Sequence, residues 1–527
     1  MSAGLLFSIV IGYFVLLLGV AWYTSRNSNN DTFFIGNKNS NWMLVAFGMI
    51  GTSLSGVTFV SVPGGVGDVA GGSFKGFAYM QVAFGYLIGY AVIAFVLLPL
   101  YYRLNLTSIY NYLQHRFGKV AYKTGALFFI ISRTVGATAR LYLVINILQL
   151  FILDQMGVPF IVTTAFILLM ILLYTFEGGV KTIVYTDTLQ TTLMVTGLIV
   201  CVIYILQQLN ISGGEALSQM SDKGYLSIFN TDVESKGFFL KQIIGGAFIT
   251  IAMTGLDQEM MQKNISVKRL GDSQKNVMTM AIVMTGVLFL FLMLGGVLYL
   301  FALSKGAAYA DVEVAGNMTR QLLIQHPQVP GETMNLIGDK MFPSVAMNFL
   351  PPAISIIFII ALISALFPSA DGALTALTSS FCIDILGLKE KTHLSEKEKR
   401  RKRLTVHFSF ALVFLLCILV FYIINNNSII DVILDLAGYT YGPLLGLFSF
   451  GILTRRRLPD TIGITVICLV SPVLSYFLSK YAATLFGGYQ IGIELLVING
   501  LITFIGLWLL SGGRQPENDD AQTAASV

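Results

Sequence analysis

Thirteen stretches of this chain are each apolar over roughly the 20 residues a helix needs to cross a bilayer, and little chain is left between them. They run at about 4–24, 43–66, 78–101, 122–152, 158–175, 184–207, 240–262, 275–303, 346–381, 404–424, 431–452, 460–482 and 489–511. Of the 527 residues, 55% are hydrophobic and 12% charged, and the mean hydropathy is +0.75. No soluble domain of this size needs so much apolar surface for its core, so the expected fold is an all-α polytopic membrane protein with about 13 transmembrane helices, and the lipid bilayer is its first partner. The first stretch has no basic residue before it and Arg26 after it, the reverse of a secretory signal, so it is expected to stay attached.

The basic residues orient the chain. With the N-terminus outside, 23 of the 33 lysines and arginines lie on the inner side and eight on the outer, with Arg133 and Arg140 inside the fourth stretch. That asymmetry follows the positive-inside rule and places the C-terminus in the cytoplasm. The net charge of +5 is therefore an orientation signal, and no nucleic-acid partner is read from it. Cys201, Cys382, Cys417 and Cys468 lie in or beside apolar stretches without metal spacing and read as packing residues. Four histidines with no metal spacing and no nucleophile–base pair argue against an enzyme.

The second stretch carries a polar, glycine-spaced run at its centre, Gly51-Thr52-Ser53-Leu54-Ser55-Gly56. A helix is interrupted at mid-membrane depth only where its freed carbonyls line a cavity or hold an ion, because an unpaired backbone group in hydrocarbon costs several kcal/mol. A small-residue packing face is the structural alternative. The seventh stretch also has interior glycines, Gly245, Gly246 and Gly255. Interrupted helices at corresponding places in two halves point to an inverted repeat with its site at the break. In the ninth stretch Ser364, Pro368, Asp371, Thr375 and Thr378 recur at three and four residues and form one polar stripe. Pro368 lacks an N–H, so the Ser364 carbonyl loses its helical partner, and an aspartate at this depth is read as functional by default. The stretch Arg103–Gly118 is expected to be an amphipathic helix on the inner face, and 304–343 a partly helical cap.

Four motifs carry a resemblance to the sodium/solute symporters, the family of sodium-coupled sugar, proline, iodide and sialic acid carriers. They are G-T-S-L-S-G-V-T-F at Gly51, L-T-S-I-Y-N-Y-L at Leu106, Y-T-F-E-G-G-V-K-T-I-V-Y-T-D-T-L-Q at Tyr174, and F-P-S-A-D-G-A-L followed by Asp384. The resemblance implies one transmembrane domain with a five-plus-five inverted-repeat core at about 41–207 and 238–452. Extra helices at 4–24, 460–482 and 489–511 and a polar tail at 511–527 complete it. It further implies a sodium-coupled secondary symporter of the plasma membrane, with Na+ as coupling ion and a small organic solute as cargo: sialic acid, another carboxylate or a sugar. A proton-coupled or sodium-independent carrier and a transporter-like sensor are the alternatives.

Matched to the family, sodium is held by carbonyls of Gly51, Leu54 and Ala365 and the hydroxyl of Ser369, all hard oxygen donors. Pro368 stands where a second hydroxyl is usual. A second cation site in some members matches Asp187 with positions 368, 371 and 372, which here are Pro368, Asp371 and Gly372. Asp187 and Asp371 are then left to hold a cation, to share a proton, or to be neutralised by a nearby arginine. Ser55, Thr58, Tyr79 and Gln81 are substrate contacts by family position. Arg133 and Arg140, two turns apart and about 10 Å from each other, need partners. The expected structural pair is Arg133 with Asp371, and Arg140 is read either as the receptor of a substrate carboxylate or as snorkelling outward.

Overall fold

The computed structural model describes residues 3–25, 33, 40–70, 73–175, 179–314, 317–327, 329–391, 393–424 and 429–512. Residues 176–178 of the Tyr174 motif and the polar tail from 513 onward lie outside them. The helices in chain order are α1 (Gly4–Thr24), α2 (Trp42–Gly65), α3 (Tyr79–Arg103), α4 (Asn111–Phe117), α5 (Lys119–Met156), α6 (Phe160–Thr175), α7 (Gly179–Leu209), α8 (Gly213–Asp222) and α9 (Phe239–Gly255). They continue as α10 (Gln258–Ile265), α11 (Leu270–Ser304), α12 (Met341–Asn348), α13 (Pro352–Ile385), α14 (Glu396–Ile424), α15 (Ile429–Thr440), α16 (Gly442–Leu453), α17 (Gly463–Leu485) and α18 (Leu495–Leu510). Among the described residues nine are long and apolar enough to cross a membrane, α9 with α10 makes a tenth span bent by 66°, and α6, α16 and α18 are shorter apolar helices. Each of the 13 expected segments is therefore helical.

Depth of burial separates centre from rim. In α2 and α13, 78% of the apolar window is buried, against 28% in α14 and 22% in α17. On α17 the exposed Leu469, Val473 and Phe477 follow one another at four residues, a stripe suited to lipid. α2 packs on α7, α11 and α13, so the helix with the polar centre is enclosed by others.

Both expected interruptions are present. In α2 it is a single residue, Ser55, at φ 51° and ψ 168°, with helix on either side. In the seventh span it lies between Gly255 and Gln258, where Asp257 turns the chain and caps α10 by accepting from the Glu259 N–H at 2.9 Å and the Met260 N–H at 3.3 Å. Gly245 and Gly246 lie within continuous helix. A side-chain carbon at Gly246 would come within 2.6 Å of the Val82 carbonyl, so this glycine allows close approach of α3 and only Gly255 marks the break.

Two expectations are corrected. Residues 308–335 form a three-stranded antiparallel sheet of β1 (Ala308–Val314), β2 (Asn317–Gln325) and β3 (Thr333–Asn335), in the order β1-β2-β3. Leu322 and Ile324, two apart, are both buried, the period of a strand rather than a helix. The inner-face helix is only Asn111–Phe117, and Tyr112, Leu113 and Phe117 are buried against protein rather than laid on lipid. Tyr112 stacks on Phe448, and the Tyr110 hydroxyl donates to the Leu256 carbonyl at 2.9 Å.

Backbone like that of Ser55 suits glycine and costs other residues about 1–3 kcal/mol. Ser55→Gly is therefore expected to raise the thermal unfolding midpoint of the purified protein by a few degrees, equivalent to about 1 kcal/mol or more. An unchanged or lower midpoint would show that the break carries no strain.

Candidate functional site

The site begins where the interrupted part of α2 meets α13. The non-helical turn at Ser55 takes the N–H groups of Gly56 to Thr58 away from the carbonyls four residues before them, those of Thr52 to Leu54. A side-chain carbon at Gly51 would lie 3.5 Å from Pro368 Cγ, and one at Gly56 would lie 3.6 Å from Leu366 Cα. The Gly51–Gly56 run is thus pressed against the 366–368 turn of α13, between Ala365 and Ser369. The Ser369 hydroxyl donates to the Leu366 carbonyl at 3.0 Å, which leaves its lone pairs free to face a cation. The fold thereby lays the Gly51–Gly56 run, which includes Leu54, against the turn flanked by Ala365 and Ser369.

Buried polar atoms cluster beside it. The hydroxyls of Ser53, Thr191 and Ser364, both amide atoms of Gln190 and Asp187 Oδ1 are buried without hydrogen-bond partners. α1 contributes here as well. Tyr13 faces Ser364 and Gln190 without closing a hydrogen bond to either, and Phe14 packs on Phe367 at 5.1 Å between ring centroids. The first span, which reads in sequence as a plain apolar helix, brings a hydroxyl to the junction.

A line of alternating charges crosses the same region. Arg133 on α5 pairs with Glu259 and stands 3.9 Å from Asp257, both at the start of α10. Asp257 also accepts from the Tyr441 hydroxyl at 2.8 Å. Glu259 lies 3.4 Å from Lys263, whose ammonium is 2.8 Å from Asp187 Oδ2 and 2.8 Å from the Thr52 hydroxyl. Thr52 in turn donates to Asp187 at 3.2 Å.

The expected Arg133–Asp371 pair is therefore corrected: the partners of Arg133 are Glu259 and Asp257. The 66° bend swings α10 so that two carboxylates of its first turn face α5, while Asp371 is turned to α6 and accepts from the Tyr174 hydroxyl at 3.0 Å. Asp187 is engaged by a lysine rather than an arginine. Lys263, one of the 23 basic residues assigned by sequence to the inner side, is buried in this cluster; three charged residues within L-D-Q-E-M-M-Q-K are the sequence signal for it. Of the remaining α13 polar residues, Thr378 meets His407 at 2.9 Å and Asp384 accepts from Tyr122 at 2.9 Å, contacts that tie helices together, while Asp384 also accepts from Ser380 of its own helix at 2.6 Å.

Arg140, two turns beyond Arg133, has no ion pair or hydrogen bond among the described residues. It lines a cleft with Ser132, Gly136, Met253, Thr440 and Tyr441. Tyr79 and Tyr86 on α3, whose hydroxyls are 3.1 Å apart, stand near it. Gln81 is turned away from that pair, donating to the Ala78 carbonyl at 3.0 Å, with its amide oxygen buried and unpartnered. Ser55 and Thr58 are buried on α2. Tyr86, Thr440 and Tyr441 were not singled out from the sequence, because only the packing of α3, α5 and α15 brings them together.

Removing one member of a buried ion pair strands the other charge at about 3–5 kcal/mol. Arg133→Gln and Glu259→Gln are each expected to lower thermal stability sharply, and the double variant to recover part of the loss, with a coupling of about 1–3 kcal/mol. The Arg133–Asp371 cycle is expected to be close to additive. Coupling found only in the second cycle would overturn the pairing.

Residues 33–458 match the sodium:solute symporter family. Among individual proteins, the chain is 23% identical over 536 residues to the sodium/sialic acid symporter SiaT of Proteus mirabilis, covering 98% of each. It is 22% identical over 497 residues to the sodium/sialic acid symporter NanT of Aliivibrio fischeri, covering 93% of this chain and 90% of that one. A solved Na+-coupled sialic acid symporter in a substrate-bound outward-open state superposes with a TM-score of 0.76 at 20% identity, over 96% of this chain and 97% of that chain. The fold is therefore the five-plus-five inverted repeat with interrupted first helices, and a match over most of the chain makes it a member of the sodium:solute symporter family.

Proposed function

We propose that this protein is a sodium-coupled symporter that moves a small organic anion across the plasma membrane by alternating access. The observation that carries the reading is the interruption of α2 at Ser55, seated on the Leu366–Pro368 turn of α13. Sodium as co-transported cargo would be held there by the carbonyls of Gly51, Leu54 and Ala365 and the Ser369 hydroxyl. Pro368 supplies no hydroxyl, and the Ser364 carbonyl, left without its helical donor by that proline, makes up the missing oxygen. Family membership and the sodium-coupled relatives support the same ion.

A carboxylate solute is favoured by Arg140. A guanidinium lining a cleft with no direct ion pair among the described residues is suited to a bidentate anion, and Tyr79, Tyr86 and Thr440 around it offer hydroxyls to the rest of a polar solute. Sialic acids belong to this class, and the two sodium/sialic acid symporters among its relatives make them the first solutes to try. The repeats are taken as about 41–207 and 238–452. The lysine and arginine distribution supports an outside N-terminus and a cytoplasmic C-terminus.

In proteoliposomes, uptake of a carboxylate solute should require inward sodium, and a tenfold gradient should support about tenfold accumulation per ion, since 1.4 kcal/mol is a factor of ten. Equal uptake in sodium and choline media would sink the reading. Ser369→Ala should raise the sodium concentration for half-maximal uptake severalfold without loss of expression, whereas an unchanged value would remove that hydroxyl from the site. Arg140→Gln should weaken anion uptake at least tenfold while sparing any neutral analogue; equal loss of both would assign the arginine a structural role.

A further inference from the structure

The ammonium of Lys263 lies where a second co-transported cation would have to sit. It is 2.8 Å from Asp187 Oδ2 on α7, 2.8 Å from the Thr52 hydroxyl on α2 and 3.4 Å from Glu259 Oε1 on its own helix. The side chain is 3% exposed. At the α13 positions matched to that site, 368 is proline, Asp371 is held by Tyr174, and 372 is a glycine. A side-chain carbon at Gly372 would run into the Glu259 carboxylate and come within 3.2 Å of Lys263 Nζ, so the ion pair occupies the space in which a serine there would stand.

We infer that Lys263 is a built-in cation: it neutralises Asp187, takes the place of a second sodium ion, and restricts the transporter to the one sodium at the α2–α13 junction. The inference rests on the sodium-coupled reading above. The charge balance supports it. Among the described residues, Asp187, Asp257 and Glu259 form their ion pairs in this buried cluster with Arg133 and Lys263, so loss of the ammonium strands at least one more carboxylate. The oxygens that an incoming ion would need are already in place: Asp187 Oδ1 and the Thr191 hydroxyl are buried and unpartnered, and the Thr52 hydroxyl would be released by the lysine. A lysine is also suited to a permanent role, since its ammonium donates to all three acceptors and cannot leave with the solute.

The test is the number of sodium ions bound per protein, measured with radioactive sodium on purified full-length chain at saturating sodium concentration. The wild type is expected to bind one. Lys263→Gln, which removes the charge and keeps most of the length, is expected to bind one more, Lys263→Arg the same number as wild type, and Lys263→Gln with Asp187→Asn to return to the wild-type number. A wild type that binds two, or a folded Lys263→Gln that gains none, overturns the inference, and the first of these is decided without any variant. A wild type that binds none instead refutes the sodium site at the α2–α13 junction; a gain of one ion by Lys263→Gln would then still support the built-in cation, and no gain would overturn it.

Discussion

A helix in hydrocarbon has no water to accept the hydrogen bonds it gives up, and this protein interrupts one of its most deeply buried helices. Everything around Ser55 is arranged to make that tolerable. α7, α11 and α13 enclose α2, so the freed carbonyls face protein rather than lipid. Gly51 and Gly56 let the backbone approach the 366–368 turn, where Pro368 removes a further donor from the opposite helix. The result is a small region in which the Ser364 carbonyl and those just before Ser55 lose their regular helical donors. That is the environment an alkali cation requires, and it is hard to justify as packing alone.

The alternating charges form a second constraint. A buried ion pair is weak evidence for stability, since apolar groups of similar volume often do as well. Five charged side chains from three helices, Asp257, Arg133, Glu259, Lys263 and Asp187, are therefore better explained by a need to hold helices in a defined relation. Thr52 is the point where the two constraints meet. It belongs to the interrupted run of α2, accepts from Lys263 and donates to Asp187. A cation held at the proposed junction would in this way be linked to the position of α10 through one hydroxyl.

Features that depend on local pattern were legible in the sequence. The apolar lengths predicted every span, the polar run predicted the break in α2, and the three-and-four spacing picked out α13 residues that are all buried, in a stretch of that helix buried on every side. Features that depend on which helix faces which were not. Arg133 and Glu259 are 126 residues apart, and only the bend after Gly255 turns Glu259 toward α5. Asp371 was the nearest conspicuous carboxylate by estimated depth, and depth alone could not exclude it. The glycines of α9 illustrate the same limit: Gly246 and Gly255 look alike in sequence, yet one admits a neighbouring helix and the other ends the helix it belongs to. At 308–325 the alternation of apolar residues was available and outweighed by the expectation of helix throughout.

Arg133 and Arg140 show how little residue type settles at such depths. They share a helix face and a desolvated setting, and in isolation each is equally in need of an anion. The fold answers the first need from within the chain, with two carboxylates at the start of α10, and leaves the second open to the cleft beside Tyr79 and Tyr86. An internal partner cannot leave, so the first arginine is committed to holding α5 against α10. A partner that must come from solution makes the second arginine responsive to what is bound. Because both charges are on α5, about 10 Å apart on one rigid element, an anion arriving at Arg140 acts on the helix that also anchors α10, and through Glu259, Lys263 and Thr52 on the interrupted run of α2. The proposed solute and ion sites are then joined by a set of contacts through which binding at one would bias the other.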